Sequence, residues 1–305
     1  MKLDFDVVII GAGVAGMTAA LYLKRSGVNC CILERETPGG QINKASTIQN
    51  YPGFLEISGP DLSTKIFEQI QASNVPYKYG NVLKIINEED KKIIKTDLEN
   101  ITTQNIIIAT GRKTKKLDIP GEANLIGKGV SYCALCDANF FRNEDVIVIG
   151  GANSALEESL YLSNICKSVT ILHRRDVFTA DEFFINQVSE KENINVRFNC
   201  IPIKLNQKEG RLSSITIQNK DNVEEEIFAK GCFIYIGQVP VSEAFKDILE
   251  FDEKGYIKVD EHNETNTKGI YAAGDIVKKD AYQLLTAMSD GVIAAVNCIK
   301  DIKHQ

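Results

Sequence analysis

Asp6-Val7-Val8-Ile9-Ile10-Gly11-Ala12-Gly13-Val14-Ala15-Gly16 is the stretch on which the reading of the fold turns. The uninterrupted apolar run from Val7 to Ile10 is what a strand buried on both faces of a parallel sheet requires. The glycines follow at once, Met17 to Ser26 reads as a helix ended by Gly27, and a second apolar strand, Asn29 to Leu33, stops at Glu34. Glycines make the turn, admit a pyrophosphate close to the backbone and let the helix pack on the strand, while an acid roughly 20 residues on suits ribose hydroxyls. GxGxxG alone is a weak signal. Strand, glycine turn, helix, strand and acid together make a complete dinucleotide-binding signature.

Beyond Glu34, Pro38 to Gln41 and Asn50 to Gly53 are loop material without periodicity. Leu62, Ile66, Phe67 and Ile70 recur at helical spacing, so a helix is expected from Asp61 to Ala72, capped by Asp61 or Ser63. Three alternating runs, Val82 to Ile86, Lys92 to Thr96 and Ile101 to Ile108, read as an antiparallel meander that ends at Ala109-Thr110-Gly111. Lys113 to Lys116 reads as a basic linker.

The pattern then restarts. Asp145 to Ile149 is a strand, Gly150-Gly151-Ala152-Asn153-Ser154-Ala155 a glycine turn, Leu156 to Ser163 a helix and Ser168 to Leu172 a second strand. The offset from Gly11 to Gly150 is 139 (150 less 11), and the same offset carries Glu34 to His173, with Arg174 and Arg175 behind it. Where the first unit offers a carboxylate, the second offers cations. An acid there favours ribose hydroxyls and arginine favours a 2′-phosphate, so the first unit suits FAD or NAD and the second NADP. A second meander is expected from Asn195 to Ile236. Gly269-Ile270-Tyr271-Ala272-Ala273-Gly274-Asp275 is then one more buried strand, needed to complete the first sheet, and Tyr282 to Ile299 a long apolar helix. The fold class is therefore α/β, with two Rossmann-like βαβ domains, each carrying a β-meander, and the second inserted into the first. The expected boundaries are 1–112 with 245–305 for the first domain and 117–240 for the second, joined by segments 113–116 and 241–244.

Between the two signatures stands Tyr132-Cys133-Ala134-Leu135-Cys136-Asp137. Two cysteines at this spacing read as a redox couple, as half a metal site, or as small core groups. Cys30, Cys31, Cys166, Cys200, Cys232 and Cys298 show no matching spacing, which argues against a four-ligand zinc site. The formal charge of −6 argues against nucleic acid or an anionic membrane as partner. The run from Val7 to Leu23 follows Asp4 and Asp6 instead of a basic segment and is broken by glycines, so strand-turn-helix fits it better than a membrane span or the apolar region of a secretion signal. The expected compartment is the cytoplasm, where a disulfide is a catalytic one.

Gly11 to Gly16, Cys133-Ala-Leu-Cys136-Asp137, Gly150 to Ala155, His173-Arg-Arg175 and Ala273-Gly-Asp275 occur in the order seen in the low-molecular-weight, bacterial-type thioredoxin reductases, which the whole chain resembles. The resemblance implies FAD on Gly11, Gly13, Gly16, Glu34, Gly40, Gln41, Asn50, Gly111, Gly274, Asp275 and Gln283. It implies NADPH on Gly150, Gly151, Asn153, Ser154, Ala155, His173, Arg174 and Arg175. It further implies a homodimer in which hydride passes from NADPH through FAD to a Cys133–Cys136 disulfide, which then reduces thioredoxin. By the same analogy Cys136 faces the flavin, Cys133 attacks the partner, and Asp137 is the proton donor provided that burial raises its pKa. No metal is implied.

Several positions depart from the family pattern: Ala152 for the central glycine of the second turn, Ala138 for Gly, Thr179 for a third Arg, and Gln238 and Val241 for His and Asn. They bear on the pyridine nucleotide. Two competing readings are a related flavoenzyme fed by another donor such as ferredoxin, and a flavoprotein whose cysteine pair senses redox state without turnover.

Overall fold

The structure is a computed structural model that describes residues 3–45 and 47–303. The chain forms two compact units, Met1–Lys113 with Val239–Gln305, and Thr114–Gln238.

In the first unit, β1 (Phe5–Ile10), β2 (Cys30–Glu34) and β3 (Tyr77–Tyr79) pair in parallel, and β1 pairs on its other side with β6 (Asn100–Ile108). The helix α1 (Val14–Arg25) joins β1 to β2 and starts earlier than the expected Met17. Gly13 is extended and Val14 is already helical, so Val14, Ala15 and Gly16, which read as turn, begin the helix. The next helix, α2 (Gly59–Ala72), also starts early: Ser58 is its cap, accepting from Asp61 N at 3.1 Å, and Pro60 fits the first turn. Neither expected cap serves; Ser63 instead donates to Pro38 O at 3.0 Å.

The strand β6 does two jobs, and its sequence says why. Ile101 and Thr103 are buried alternately with half-exposed neighbours, whereas Asn105 to Ile108 are all buried. The alternating half pairs antiparallel with β5 (Lys92–Thr96), itself paired with β4 (Val82–Asn87). The continuous half pairs in parallel with β17 (Ile270–Ala272), Ile270 opposite Ile106. Behind β17, α7 (Leu284–Lys303) lies on α1 at backbone distance: a Cβ on Gly291 would be 2.3 Å from Ala15 O.

The second unit begins with α3 (Glu122–Leu125), β8 (Val130–Ser131) and α4 (Ala134–Asp137). Its parallel sheet adds β9 (Asp145–Gly150), β10 (Ser168–Leu172), β11 (Ile194–Arg197) and β15 (Gly231–Tyr235) in the order β11-β10-β9-β15-β8. Two helices flank it in sequence, α5 (Asn153–Ser163) after β9 and α6 (Glu182–Ser189) after β10. The expected second meander is corrected in two ways. Asn195 lies in β11, which is parallel to β10, and the true meander of β12 (Cys200–Lys208), β13 (Arg211–Asn219) and β14 (Glu224–Phe228) is a separate three-stranded sheet. Ala229 and Lys230 interrupt the chain between β14 and β15, at the point where β6 of the first unit runs on unbroken.

The basic segment expected to be a plain linker is partly strand. Arg112–Thr114 (β7) pairs with Gln238–Pro240 (β16) in a two-stranded ribbon, because polar side chains do not prevent backbone pairing.

Candidate functional site

At the first glycine turn, Gly11 has φ +108°, and a Cβ there would lie 2.4 Å from Ala109 O, so the turn accepts only glycine. Gly13 caps α1 with no side-chain acceptor, and a Cβ on it would meet nothing within 4 Å. The free N–H groups of the first helical turn thus open onto room for an anion. Glu34 is anchored to this turn: Oε2 accepts from Ala12 N at 2.7 Å, and Oε1 accepts from Arg35 N and Glu36 N, each at 2.8 Å. An ionised carboxylate has about four acceptor sites, so one remains for a hydroxyl.

Around the turn the structure gathers residues from four segments. Gly39 N donates to Ala12 O at 2.8 Å, which brings Gly40 and Gln41 against the glycines. Gln41 Nε2 donates to Arg112 O at 2.7 Å. The Arg112 guanidinium donates to Asp275 Oδ2 from Nη2 at 2.9 Å and from Nε at 3.2 Å, and it lies 3.8 Å above the Tyr282 ring. Next along the chain from Tyr282, Gln283 accepts from Asn50 Nδ2 at 3.3 Å. Gly111 and Gly274 are left-handed, with φ +63° and +79°, and Gly274 N donates to Asp290 Oδ2 at 3.0 Å. Asp290 is also ion-paired to Lys279. Arg112, Tyr282 and Asp290 were missed by the sequence reading. Arg112 directly follows the strand-ending Gly111, and that position is the signal that the run of cations behind it masked.

The second turn repeats the first. Gly150 has φ +154°, and a Cβ on it would lie 2.4 Å from Tyr235 O. Ala152 caps α5 without a side-chain acceptor and is exposed, in the place of Gly13. His173, in register with Glu34, is buried with its ring against Gly151, between Phe178 and Phe198 at 5.8 and 6.3 Å. Burial first, and then Arg175 and Arg174, hold its pKa below the ordinary value, so the imidazole is neutral. Its Nε2 is buried without a partner. Of the three expected cations, only the exposed Arg174 and Arg175 carry charge. The segment they begin is tied back to the turn: Thr179 N donates to Gly151 O at 2.7 Å and Thr179 Oγ1 at 3.2 Å. Asn153 Nδ2 donates to Asp181 Oδ2 at 2.7 Å while Asp181 N donates to Asn153 Oδ1 at 2.8 Å. Ser154 is exposed and Ala155 fully buried.

Cys133 and Cys136 are bonded to each other, with Cα atoms 5.4 Å apart. Cys133 caps α4, its Sγ accepting from Cys136 N at 3.2 Å, a contact that favours a thiolate on Cys133 once the bond is reduced. Neighbours fix the pair in place. Ser131 Oγ accepts from Cys133 N at 3.0 Å, the Tyr132 hydroxyl donates to Glu122 at 2.6 Å, and Tyr235 accepts from Ala134 N at 2.8 Å. Cys133 is 9% exposed, Cys136 is exposed and Asp137 half-buried. Near the Tyr235 hydroxyl, the buried Glu158 is pushed up to about 8 by burial and then by Glu157, and its Oε2 has no partner. The other six cysteines are buried and free.

Two uncapped helix N-termini behind glycine turns and one disulfide at a helix start form a set of parts for moving electrons from a dinucleotide to a disulfide. The sequence profile of the family described as "Pyridine nucleotide-disulphide oxidoreductase" matches residues 5–291. A thioredoxin reductase of Bacillus subtilis (strain 168) is 40% identical over 292 residues, 95% of this chain and 92% of the relative. Among solved structures, the thioredoxin reductase of Lactococcus lactis is similar with a TM-score of 0.95 at 43% identity, covering 99% of this chain and 100% of that one. That of T. acidophilum is similar with a TM-score of 0.93 at 31% identity, again covering 99% and 100%.

Proposed function

Because the chain belongs to the pyridine nucleotide-disulphide oxidoreductase family, we propose that it is an FAD-dependent NADPH:thioredoxin oxidoreductase, a thioredoxin-disulfide reductase. The observation that carries this reading is the Cys133–Cys136 bond, formed in the same unit as the second glycine turn.

The open N-terminus of α1 supports FAD there, with Gly11, Gly13 and Gly16 at the pyrophosphate and Glu34 at the ribose. Gly40, Gln41, Asn50, Gly111, Gly274, Asp275 and Gln283 complete that set. The orphaned His173 Nε2 and the free amides of α5 support NADPH on Gly150, Gly151, Asn153, Ser154 and Ala155, with Arg174 and Arg175 at its 2′-phosphate. FAD, when bound, supplies the two-electron carrier between nicotinamide and disulfide.

This chain's own residues perform the exchange with the protein substrate. The Cys133 thiolate, held by the Cys136 N–H, attacks one sulfur of the partner disulfide, and the leaving thiolate takes the proton of the Cys136 thiol, relayed by the half-buried Asp137 carboxylate. Cys136 then attacks the Cys133 sulfur, which releases the reduced partner and re-forms the bond within the chain. Cys133 is the more buried residue of the pair, so docking must uncover it. Phe140, four residues beyond Cys136 and 81% exposed, offers a protein partner an apolar foothold.

In this reading residues 1–112 with 245–305 hold FAD, residues 117–240 hold NADPH and the cysteine pair, and 113–116 and 241–244 are hinges. The change of compact unit after Lys113 supports a division at the first of these segments, while the second change comes after Gln238, just before the other. The working form is a homodimer in a reducing cytoplasm, in keeping with six buried free thiols. Among the described residues no helix is long and apolar enough to cross a membrane. The test is anaerobic titration of the flavin spectrum with NADPH, NADH and reduced ferredoxin, followed by thioredoxin reduction. NADPH should bleach the flavin and drive turnover, and bleaching by ferredoxin alone would replace the donor.

A further inference from the structure

The nine residues from His173 to Asp181 are fastened to the second glycine turn at three points. The His173 ring lies under Gly151, Thr179 donates twice to Gly151 O, and Asp181 exchanges hydrogen bonds with Asn153. Arg174 and Arg175 are thus carried on a strap whose ends cannot drift from the start of α5.

Asp181 stands out on this strap. It caps α6, where an aspartate normally accepts from an amide of its own first turn, yet its side chain makes no such bond. Its carboxylate turns instead to Asn153 Nδ2 at 2.7 Å, and Asn153 is the first residue of α5. A negative charge therefore sits one hydrogen bond from the helix start that would receive the nucleotide pyrophosphate, itself an anion.

We propose that Asp181 is an affinity-setting residue that repels the pyrophosphate of an incoming nucleotide, so that useful binding requires the 2′-phosphate contacts of Arg174 and Arg175. The inference rests on the NADPH reading of the second turn. The repulsion weakens every dinucleotide by the same factor: the arginines set the ratio between NADPH and NADH, and Asp181 lowers the absolute affinity so that a nucleotide lacking the 2′-phosphate falls below useful binding. Asp181 is exposed, so solvent screens the interaction, and the expected effect is about three- to tenfold in affinity at low salt.

The experiment measures dissociation constants of the FAD-loaded full chain for 2′-AMP, 2′,5′-ADP and NADP+ by calorimetry, at low and high salt, in the native protein and in Asp181→Asn. The amide oxygen of the variant still accepts from Asn153, so only the charge is lost. 2′,5′-ADP and NADP+ should bind about three- to tenfold more tightly, with a smaller gain at high salt. 2′-AMP, which places nothing at the pyrophosphate position, should be unchanged. KM for NADPH and for NADH should fall by the same factor, and Asp181→Glu should show no gain. If the native protein binds 2′,5′-ADP and Asp181→Asn binds it no better, the inference fails and the NADPH site stands. If neither protein binds any of the three, the NADPH site fails and takes the inference with it.

Discussion

The imidazole of His173 fits against the second glycine turn only because Gly151 has no side chain: a Cβ there would lie 2.2 Å from Nδ1. In the first unit the corresponding pair is Glu34 and Ala12, and the contact is a hydrogen bond from Ala12 N to the carboxylate. Exchanging an acid for a ring at the ribose end is thus coupled to exchanging alanine for glycine in the turn. Gly151→Ala should cost about 1–3 kcal/mol and weaken NADP+ binding, as overpacking does. Urea denaturation of the FAD-loaded chain checks this, and adding His173→Ala should restore most of the loss. Additive losses in the double variant would show that the two positions do not communicate.

Arg112→Ala leaves Asp275, whose side chain is 22% exposed, without its guanidinium. FAD retention should drop roughly 5- to 30-fold, about 1–2 kcal/mol, the scale of a charge-assisted bond lost at a half-buried site. Arg112→Lys should be intermediate, and Tyr282→Ala should lose less, since a cation–π contact is worth about 0.5–1 kcal/mol. Reconstitution of the apoprotein with FAD gives these constants directly. Native affinity in Arg112→Ala would remove the bridge from the flavin site.

For the disulfide, Cys136→Ser should trap thioredoxin as a mixed disulfide on Cys133, because the resolving sulfur is gone. Cys133→Ser should trap none, and both should lose turnover. Mass spectrometry of the trapped species distinguishes the two sulfurs, and trapping by Cys133→Ser alone would reverse the roles.

Ala152 places an exposed methyl where Gly13 leaves open space. Ala152→Gly should lower KM for NADPH several-fold while keeping the preference for NADPH over NADH, because the arginines are untouched. A native preference near unity would count against the 2′-phosphate contact.

Glu158 makes stability depend on pH with a defined sign. Its pKa is pushed up from 4.5 to about 8. Between those values the folded chain holds a proton that the unfolded chain has released, so stability falls as pH rises through the window. Below it both forms are protonated and the group contributes nothing. Glu158→Gln should therefore raise Tm by several degrees at pH 8 and by almost nothing at pH 4.5, where scanning calorimetry would show the two curves converging.

What could be read from the sequence was what is local. Gly11 and Gly150 announce their turns because the chain must bend within a few residues, and Cys133 and Cys136 bond across three. The Arg112–Asp275 bridge spans 163 residues, and its arginine opens a run of cations that any surface segment could carry. Ser58 was passed over as a cap because the apolar spacing begins only at Leu62, inside the helix. The separation of the second meander from its parallel sheet hangs on Ala229 and Lys230, which carry no turn signal. Asn153 and Asp181 belong to different helices, and only folding brings them together.

The discontinuity of the first unit also sets an order of events during synthesis. Its strand β17 and helix α7 lie beyond the whole of the second unit in the chain, so Ala15 and the second half of β6 wait uncovered while residues 114–238 emerge. At about 5–20 residues per second that wait lasts on the order of ten seconds. The second unit is contiguous and its fifth strand, β8, comes first, so it is able to close as soon as β15 leaves the ribosome. On the nascent chain the later-starting half finishes first, and the apolar face of α1 is the surface that a chaperone would need to shield in the interval.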